Sequence, residues 1–317
     1  MKIVITGCLG HIGSLLMRKL AYQFPAAHIF GVDNMCTQRY SSLFNLPALG
    51  SYHFIEGDIR EIDLRPIFEG AHVVVHLAAM TDAAGSVDKA EQVENNNFSC
   101  TEKVAKICLE LDCRLIALSS TSVYGSQSQL VNEECSDAQL RPQSPYASSK
   151  LKEERLVNFL NADKGLKSVT CRFGTIYGAS VGMRFHTAVN KFCWQAAMGQ
   201  PITVWRTAYD QKRPYLDLTD AINAISFIIK KDIFDGRIYN VVTENLTVRQ
   251  VVETIREFVP RLELSFVDSK IMNQLSYEVS AERIMSSGFK FCGDLRTGVG
   301  ATLSLLTSCS RAISHRV

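Results

Sequence analysis

The feature that most constrains this chain lies in its first thirteen residues. An apolar run, Ile3-Val4-Ile5, is followed at once by Thr6-Gly7-Cys8-Leu9-Gly10-His11-Ile12-Gly13. The Gly-x-x-Gly-x-x-Gly spacing acquires meaning from its setting, because residues 12–22 carry a helical pattern directly after a strand. There, glycines let the backbone turn tightly, admit a pyrophosphate against main-chain N–H groups and let helix pack closely on strand, while the helix N-terminus stabilises the anion. Asp33 closes the next β-branched run, twenty residues after Gly13. A carboxylate at that place accepts hydrogen bonds from a ribose diol and repels a 2′-phosphate, which points to NAD over NADP.

The rest of the first half repeats the rhythm. Strand-like runs at 28–33, 52–55, 73–77, 114–119 and 169–172 alternate with helical patterns, for example 97–111. Continuous apolar runs such as Val73-Val74-Val75 fit a sheet buried on both faces. The expected fold class is α/β, a Rossmann-type doubly wound parallel sheet with a smaller, mixed C-terminal substrate domain. Beyond Arg172 the rhythm breaks into loops, a helix near 186–198 and a strand at 202–205, then a strand at 238–242 and a helix at 248–258 opened by Thr247. We therefore expect an NAD-binding domain over 1–175, with the chain returning to it around 210–243. Residues 176–209 and 244–317 are expected to form the smaller substrate-binding domain.

Composition excludes several function classes. With 34 Lys+Arg against 32 Asp+Glu, the formal charge of +2 lacks the basic footprint of a nucleic-acid binder. No apolar stretch approaches bilayer length, so no membrane partner is expected. Ten scattered cysteines without a CxxC pair, and no secretory signal, point to the reducing cytoplasm. Cysteines in apolar runs, as at Cys108 and Cys292, read as small buried hydrophobes, and no metal site is expected.

Tyr146-Ala147-Ser148-Ser149-Lys150 sets a phenol and an ammonium at i and i+4 on one helix face. A nearby positive charge lowers a phenol's pKa towards the working pH, as a general base for an alcohol proton requires. The hydroxyl cluster Ser119-Ser120-Thr121-Ser122 follows the fifth strand, where ligands of an open α/β sheet bind. A serine there can share the substrate hydroxyl with Tyr146 while hydride leaves the same carbon for nicotinamide. No Gly-x-Ser-x-Gly elbow supports a hydrolase instead. His76, ending a buried strand, reads as structural, and the small Ala78-Ala79 after it leave room for a cofactor.

With these motifs in place, the sequence resembles the extended short-chain dehydrogenase/reductase family, particularly its NAD-dependent nucleotide-sugar epimerases and dehydratases. The resemblance spans nearly the whole chain through TGCLGHIG, GVDN, GDIR, HLAA, NFSCT, SSTSVYG, SPYASSK and IYNV. It implies that Gly7, Gly10 and Gly13, with His11 and Ile12, hold the pyrophosphate. Asp33 and Asn34 would take the adenosine ribose, and Asp58 with Ile59 the adenine; Leu77, Ala78 and Ala79 complete the cofactor set. Tyr146 would be the base, Lys150 would bind the nicotinamide ribose and tune Tyr146, and Ser120 would orient the sugar hydroxyl. Asn97 resembles the family asparagine that supports the lysine through a helix irregularity and water. Arg213 resembles the arginine that contacts the substrate diphosphate, and Thr81 and Arg184 join Ser120 and Arg213 as substrate contacts. Residues 182–205, including His186 and Asn190, are expected to line the nucleotide-sugar pocket. A homodimer joined by the helices near Asn97 and Pro145 is also implied.

Where the family's 4,6-dehydratases carry an Asp-Glu pair, this chain has Thr121-Ser122. The expected function is thus an NAD-dependent nucleotide-sugar 4-epimerase. The alternative is a C4 dehydrogenase or reductase with net turnover, and behind it stand a 4,6-dehydratase and a non-catalytic NAD-binding protein.

Overall fold

The computed structural model describes residues 1–81, 90–125, 130–268 and 276–310. In chain order the first half comprises β1 (Lys2–Thr6), α1 (His11–Gln23), β2 (His28–Asp33), β3 (Ser51–Glu56), α2 (Arg65–Phe68), β4 (Val73–His76), α3 (Ala90–Glu110), β5 (Arg114–Ser120), β6 (Leu130–Val131), α4 (Pro145–Lys164) and β7 (Ser168–Phe173). The second half adds β8 (Thr175–Tyr177), α5 (Ala188–Ala197), β9 (Ile202–Trp205), β10 (Lys212–Asp217), α6 (Leu218–Lys231), β11 (Ile238–Val241), β12 (Glu244–Thr247), α7 (Val248–Phe258), β13 (Leu264–Val267), β14 (Glu278–Val279), α8 (Glu282–Ser286) and α9 (Leu295–Ser310).

Seven strands form one parallel sheet in the order β11-β7-β5-β4-β1-β2-β3. The order reverses between β1 and β4, and ligands of such sheets bind at that switch point, beyond the carboxyl ends of the strands. Register places the ends of three strands side by side, with Thr6 opposite both Val32 and His76. Side chains alternate between two cores. Ile3, Ile5, Val73, Val75 and Ile116 pack with Leu16 and Leu20 of α1 and Ile222 and Ile225 of α6. Val4, Val74, Leu115 and Ala117 pack on the other face with Phe68, Val104, Cys108, Val157 and Leu160 of α2, α3 and α4. Two buried faces explain the continuous apolar strands, and each buried Val or Leu stabilises the fold by about 1.5–3 kcal/mol.

A third core, including Phe192, Ile202, Tyr215, Val251, Ile255 and Val299, lies under α5, α7 and α9. A mixed sheet of β8, β10 and β12, with β8 parallel and β12 antiparallel to β10, borders it. Helix α6 and strand β11 rejoin the large sheet, whereas β10 pairs outside it.

Three readings need correction. Helix α3 begins at Ala90, so Asn97 is interior to it; the segment's helical face extends further upstream than its apolar residues announce. The helix is also unbroken across Asn97, without the irregularity the family resemblance implied. Cys108 is buried as expected, but Cys292 is exposed and donates to Asp220 Oδ1 at 3.3 Å, while the Phe291 beside it packs against the core. Among the described residues no helix is long and apolar enough to cross a membrane.

Candidate active site

The glycine loop shows why side chains are excluded from it. Gly7 has φ +68°, and a Cβ there would stand 2.7 Å from the Ala78 amide nitrogen; one on Gly13 would stand 2.5 Å from the Gly7 carbonyl oxygen. Gly10 is the N-cap of α1 and brings no side chain to its first turn, so N–H groups at this helix end remain for an anion. The Nη1 of Arg39 lies 3.5 Å from where a Gly10 Cβ would be. Sequence reasoning missed Arg39: it follows Asp33 by six residues in a loop without periodicity. Burial lowers its pKa, as does Arg184, while Asp33 opposes them. Burial likewise brings His11 down to about 4, and its Nε2 contacts the Gly178 carbonyl at 2.8 Å, tying the loop after β8 to the glycine loop. The His11 ring is therefore a strut, and its backbone is what the helix end offers a cofactor.

Asp33 accepts from the Leu9 and Met35 amides, both at 3.1 Å. Asp58 accepts from Arg60 Nε and Nη2 at 2.9 and 2.8 Å and from Asn34 Nδ2 at 3.2 Å. Hydrogen bonds from Arg60 hold its carboxyl well below the ordinary range. Ile59 is buried in the core shared with α2, α3 and α4, which leaves its backbone alone for an adenine. Leu77 and Ala78 abut Gly7 through their backbone. Asn97 is fully buried: it receives the Met80 amide at 2.8 Å and donates to the Met80 carbonyl and to Ser149 Oγ. It thereby holds the segment after Ala79 against the helix that carries Lys150.

Helix α4 starts where the chemistry needs it. Ser144 caps it by accepting the Ala147 amide and Pro145 occupies its first turn, so Tyr146 sits in the first turn of the helix. Ser120 Oγ accepts from the amide and hydroxyl of Ser122, at 3.2 and 2.9 Å, and Thr121 turns to the Phe173 carbonyl. Lys150 is buried and donates to Glu153 Oε2 at 2.8 Å. Burial works against its charge, yet Glu153 and Tyr146 keep its pKa above the usual value. Tyr146 itself lies above the ordinary phenol range, since burial outweighs Lys150 and Glu153 adds to the rise. The sequence expectation that Lys150 lowers the pKa of this phenol is thus corrected: Lys150 does act in that direction, but burial outweighs it and a carboxylate three residues further on opposes it.

Beneath the lysine runs a directed chain of hydrogen bonds. The Ala78 amide lies 3.4 Å from Thr6 Oγ1, Thr6 contacts His76 Nδ1 at 2.7 Å, His76 Nε2 contacts Thr101 at 3.2 Å, and Thr101 donates to Glu153 Oε2 at 2.7 Å. A Thr101 that donates to the carboxylate accepts from Nε2–H, which assigns the neutral tautomer in which Nδ1 accepts from Thr6. Burial, then Lys150, brings the His76 pKa down to about 3.

Of the residues expected to contact substrate, Arg184 donates to Thr81 Oγ1 at 3.0 Å. Arg213 reaches Gln211 through Nη2, but its Nη1 is buried and has no partner among the described residues, and burial lowers its pKa. Tyr277, a residue for which the sequence held no signal, is buried near Arg213 and shares a hydrogen bond with Thr121. Asn190 does not line a pocket: it is fully buried and exchanges hydrogen bonds with the Gly178 backbone. A cleft of about 610 Å³ among Arg114, Lys167 and Asp232 lies at the opposite, amino ends of the strands, with Arg114 closed on Asp232.

The family model for the NAD dependent epimerase/dehydratase family matches residues 3–241. The chain is 27% identical over 286 residues to the Bacillus subtilis protein named uncharacterized UDP-glucose epimerase YtcB, covering 87% of this chain and 88% of that one. It is 25% identical to the dTDP-D-glucose 4,6-dehydratase of Bos taurus, over 95% of this chain and 87% of the other. In fold it matches the Bacillus cereus UDP-glucuronic acid 4-epimerase solved with UDP-glucuronic acid and NAD, with a TM-score of 0.85, 24% identity and coverage of 98% and 100%.

Proposed function

Because this chain belongs to the NAD dependent epimerase/dehydratase family, we propose that it is a nucleotide-sugar 4-epimerase, with Ser120, Tyr146 and Lys150 as its catalytic residues. The observation that carries the choice is the end of β5. Water elimination needs an acid and a base beside the sugar's C5 and C6, and the two positions after Ser120 are Thr121 and Ser122, whose hydroxyls are turned to Phe173 and Ser120. Epimerisation at C4 needs only a proton acceptor and a hydroxyl holder there. A UDP-sugar substrate class is supported by the relatives' names and by the buried, unpartnered Nη1 of Arg213, a donor suited to a diphosphate oxygen.

The residues present fit an NAD dinucleotide. The glycine cradle, the uncapped α1 terminus and Arg39 would receive its pyrophosphate, Asp33 and Asn34 its adenosine ribose, and Asp58 with the Ile59 backbone its adenine. A bound NAD would supply the hydride acceptor and donor for the sugar C4. Tyr146 takes the C4 hydroxyl proton and later gives it back, Ser120 holds the oxygen, and Lys150 keeps its charge beside the phenol. Thr81 and Arg184 would contact the sugar nucleotide opposite. The helices α3 and α4, packed on each other in the core they share with α2, are the faces through which we expect a homodimer; a monomer in light scattering would overturn that assembly.

The deciding experiment incubates the protein and NAD with UDP-, GDP-, dTDP- and CDP-sugars and resolves products by chromatography and mass spectrometry. A product of unchanged mass and altered retention is expected. Loss of two hydrogens with NADH formed would make the enzyme a net dehydrogenase, and loss of water would overturn the inference from Thr121 and Ser122.

A further inference from the structure

Helix α4 carries two consecutive buried acids, and their surroundings differ. Both oxygens of Glu154 accept from Arg172, at 2.8 and 2.7 Å. Glu153 receives Lys150 and Thr101 on Oε2, while its Oε1 is buried with no hydrogen-bond partner among the described residues. Two further buried atoms without partners among the described residues, Ser119 Oγ and Thr170 Oγ1, belong to residues lining the same small cavity between α4 and strands β5 and β7. It has room for a water centre of about 10 Å³, close to what one molecule needs, and offers the two to four polar partners that make a buried water stable. A carboxylate oxygen only accepts, whereas hydroxyls do either, so one water can satisfy all three.

We propose that Glu153 is a positioning residue for Lys150, fixed by a single buried water shared with Ser119 and Thr170, and that its charge limits how strongly Lys150 acts on Tyr146. The inference rests on the assignment of Tyr146 and Lys150 as catalytic. Tyr146, Lys150 and Glu153 stand at i, i+4 and i+7 on one helix face. A carboxylate 2.8 Å from the ammonium offsets the field that the phenol feels. From β4, His76 faces this cluster neutral; from α3, Cys100 is a thiol that burial pushes up to about 11; from β7, Arg172 is closed on Glu154. Glu153 is therefore the charge whose removal changes what Tyr146 senses. The Thr6–His76–Thr101 chain ends on it, which ties the lysine to the strand end that abuts the glycine loop.

The test is the pH profile of kcat in the NAD-loaded enzyme, once Tyr146→Phe has been shown to abolish turnover. Glu153→Gln keeps the shape and an acceptor for Lys150 but removes the charge. Its acid limb is expected about one unit lower than that of the parent with KM for the sugar unaltered, and Glu153→Asp is expected to return the limb. A folded Glu153→Gln protein whose profile coincides with the parent's overturns the proposal while leaving Tyr146 and Lys150 in place. An active Tyr146→Phe protein overturns the functional reading instead. Should Glu153→Gln not fold, a high-resolution crystal structure of the unaltered protein decides. A water bonded to Glu153 Oε1, Ser119 Oγ and Thr170 Oγ1, with Lys150 on Oε2, is expected; a dry cavity or a Lys150 turned away from Glu153 refutes it.

Discussion

The half of the candidate site built on the large sheet and the half built by β10 differ in how far their polar atoms are already committed. On the sheet side, Asp33, Asp58 and Asn97 all bond to backbone or neighbouring side chains, and the glycine loop is locked by main-chain contacts. On the side built by β10, Arg213 keeps a buried N–H without a partner among the described residues. A pre-formed half binds a ligand common to many enzymes without rearranging, whereas a half with uncommitted donors has its energy balance completed by its own ligand. The largest predicted effect lies at the seam between them. Tyr146→Phe keeps the ring and removes the proton acceptor, so kcat should fall by about 10³-fold with little change in melting temperature. A loss of stability in place of kcat would put the phenol on the committed, structural side.

Next in size is a cut through the committed side. Arg172 and Glu154 are both nearly fully buried and paired through two bonds, and the guanidinium lies 4.8 Å from the Tyr124 ring centre. Removing one partner strands the other charge, so Arg172→Met should cost about 3–5 kcal/mol in urea unfolding. The double replacement Arg172→Met with Glu154→Leu should recover much of that loss. If the single variant is as stable as the parent, the pair is not what clamps α4 to β7.

The uncommitted side predicts a different signature. Arg213→Met should raise KM for the nucleotide sugar by about 10- to 100-fold, the worth of a charge-assisted hydrogen bond of roughly 1.5–3 kcal/mol, and leave NAD binding as it was. Because the unpartnered Nη1 is buried, the same change should leave the fold no less stable. Equal losses for sugar and NAD, followed by isothermal calorimetry, would erase the contrast between the two sides.

The same contrast explains what was legible in the sequence. Gly7, Gly10, Gly13, Asp33, Tyr146 and Lys150 announce themselves because a turn, a close backbone approach or an i, i+4 spacing demands those residue types locally. The strands of the large sheet were readable for a similar reason, since burial on both faces leaves continuous apolar runs. Arg39, Glu153 and Tyr277 were not, because each acquires its role only from a partner distant in sequence or from burial that no local pattern reports. Asn190 misled in the opposite direction: a polar residue in a region expected to face the substrate is used to hold the Gly178 turn. Asn97 was placed correctly beside the lysine helix but reaches it through Ser149 within a regular helix.

The smallest effect probes how deep the commitment runs beneath the cofactor side. His76 has a pKa of about 3 in the folded chain against 6.5 when exposed, so the unfolded chain binds the extra proton between those values. Stability from the neutral ring is therefore complete above about pH 6.5 and is lost as pH falls towards 3. At 1.36 kcal/mol per unit, acidification from pH 6.5 to about 5 should remove roughly 2 kcal/mol through this residue. Urea midpoints across that interval should fall less steeply in His76→Gln, whose amide can still meet one of the two threonines. His11, brought to about 4 by burial, adds to the slope in both proteins and cancels in the difference. Parallel slopes would mean that the ring is protonated or solvated in the folded protein. The chain from Thr6 to Glu153 would then be broken at its centre, since an imidazolium cannot accept from Thr6 while donating to Thr101.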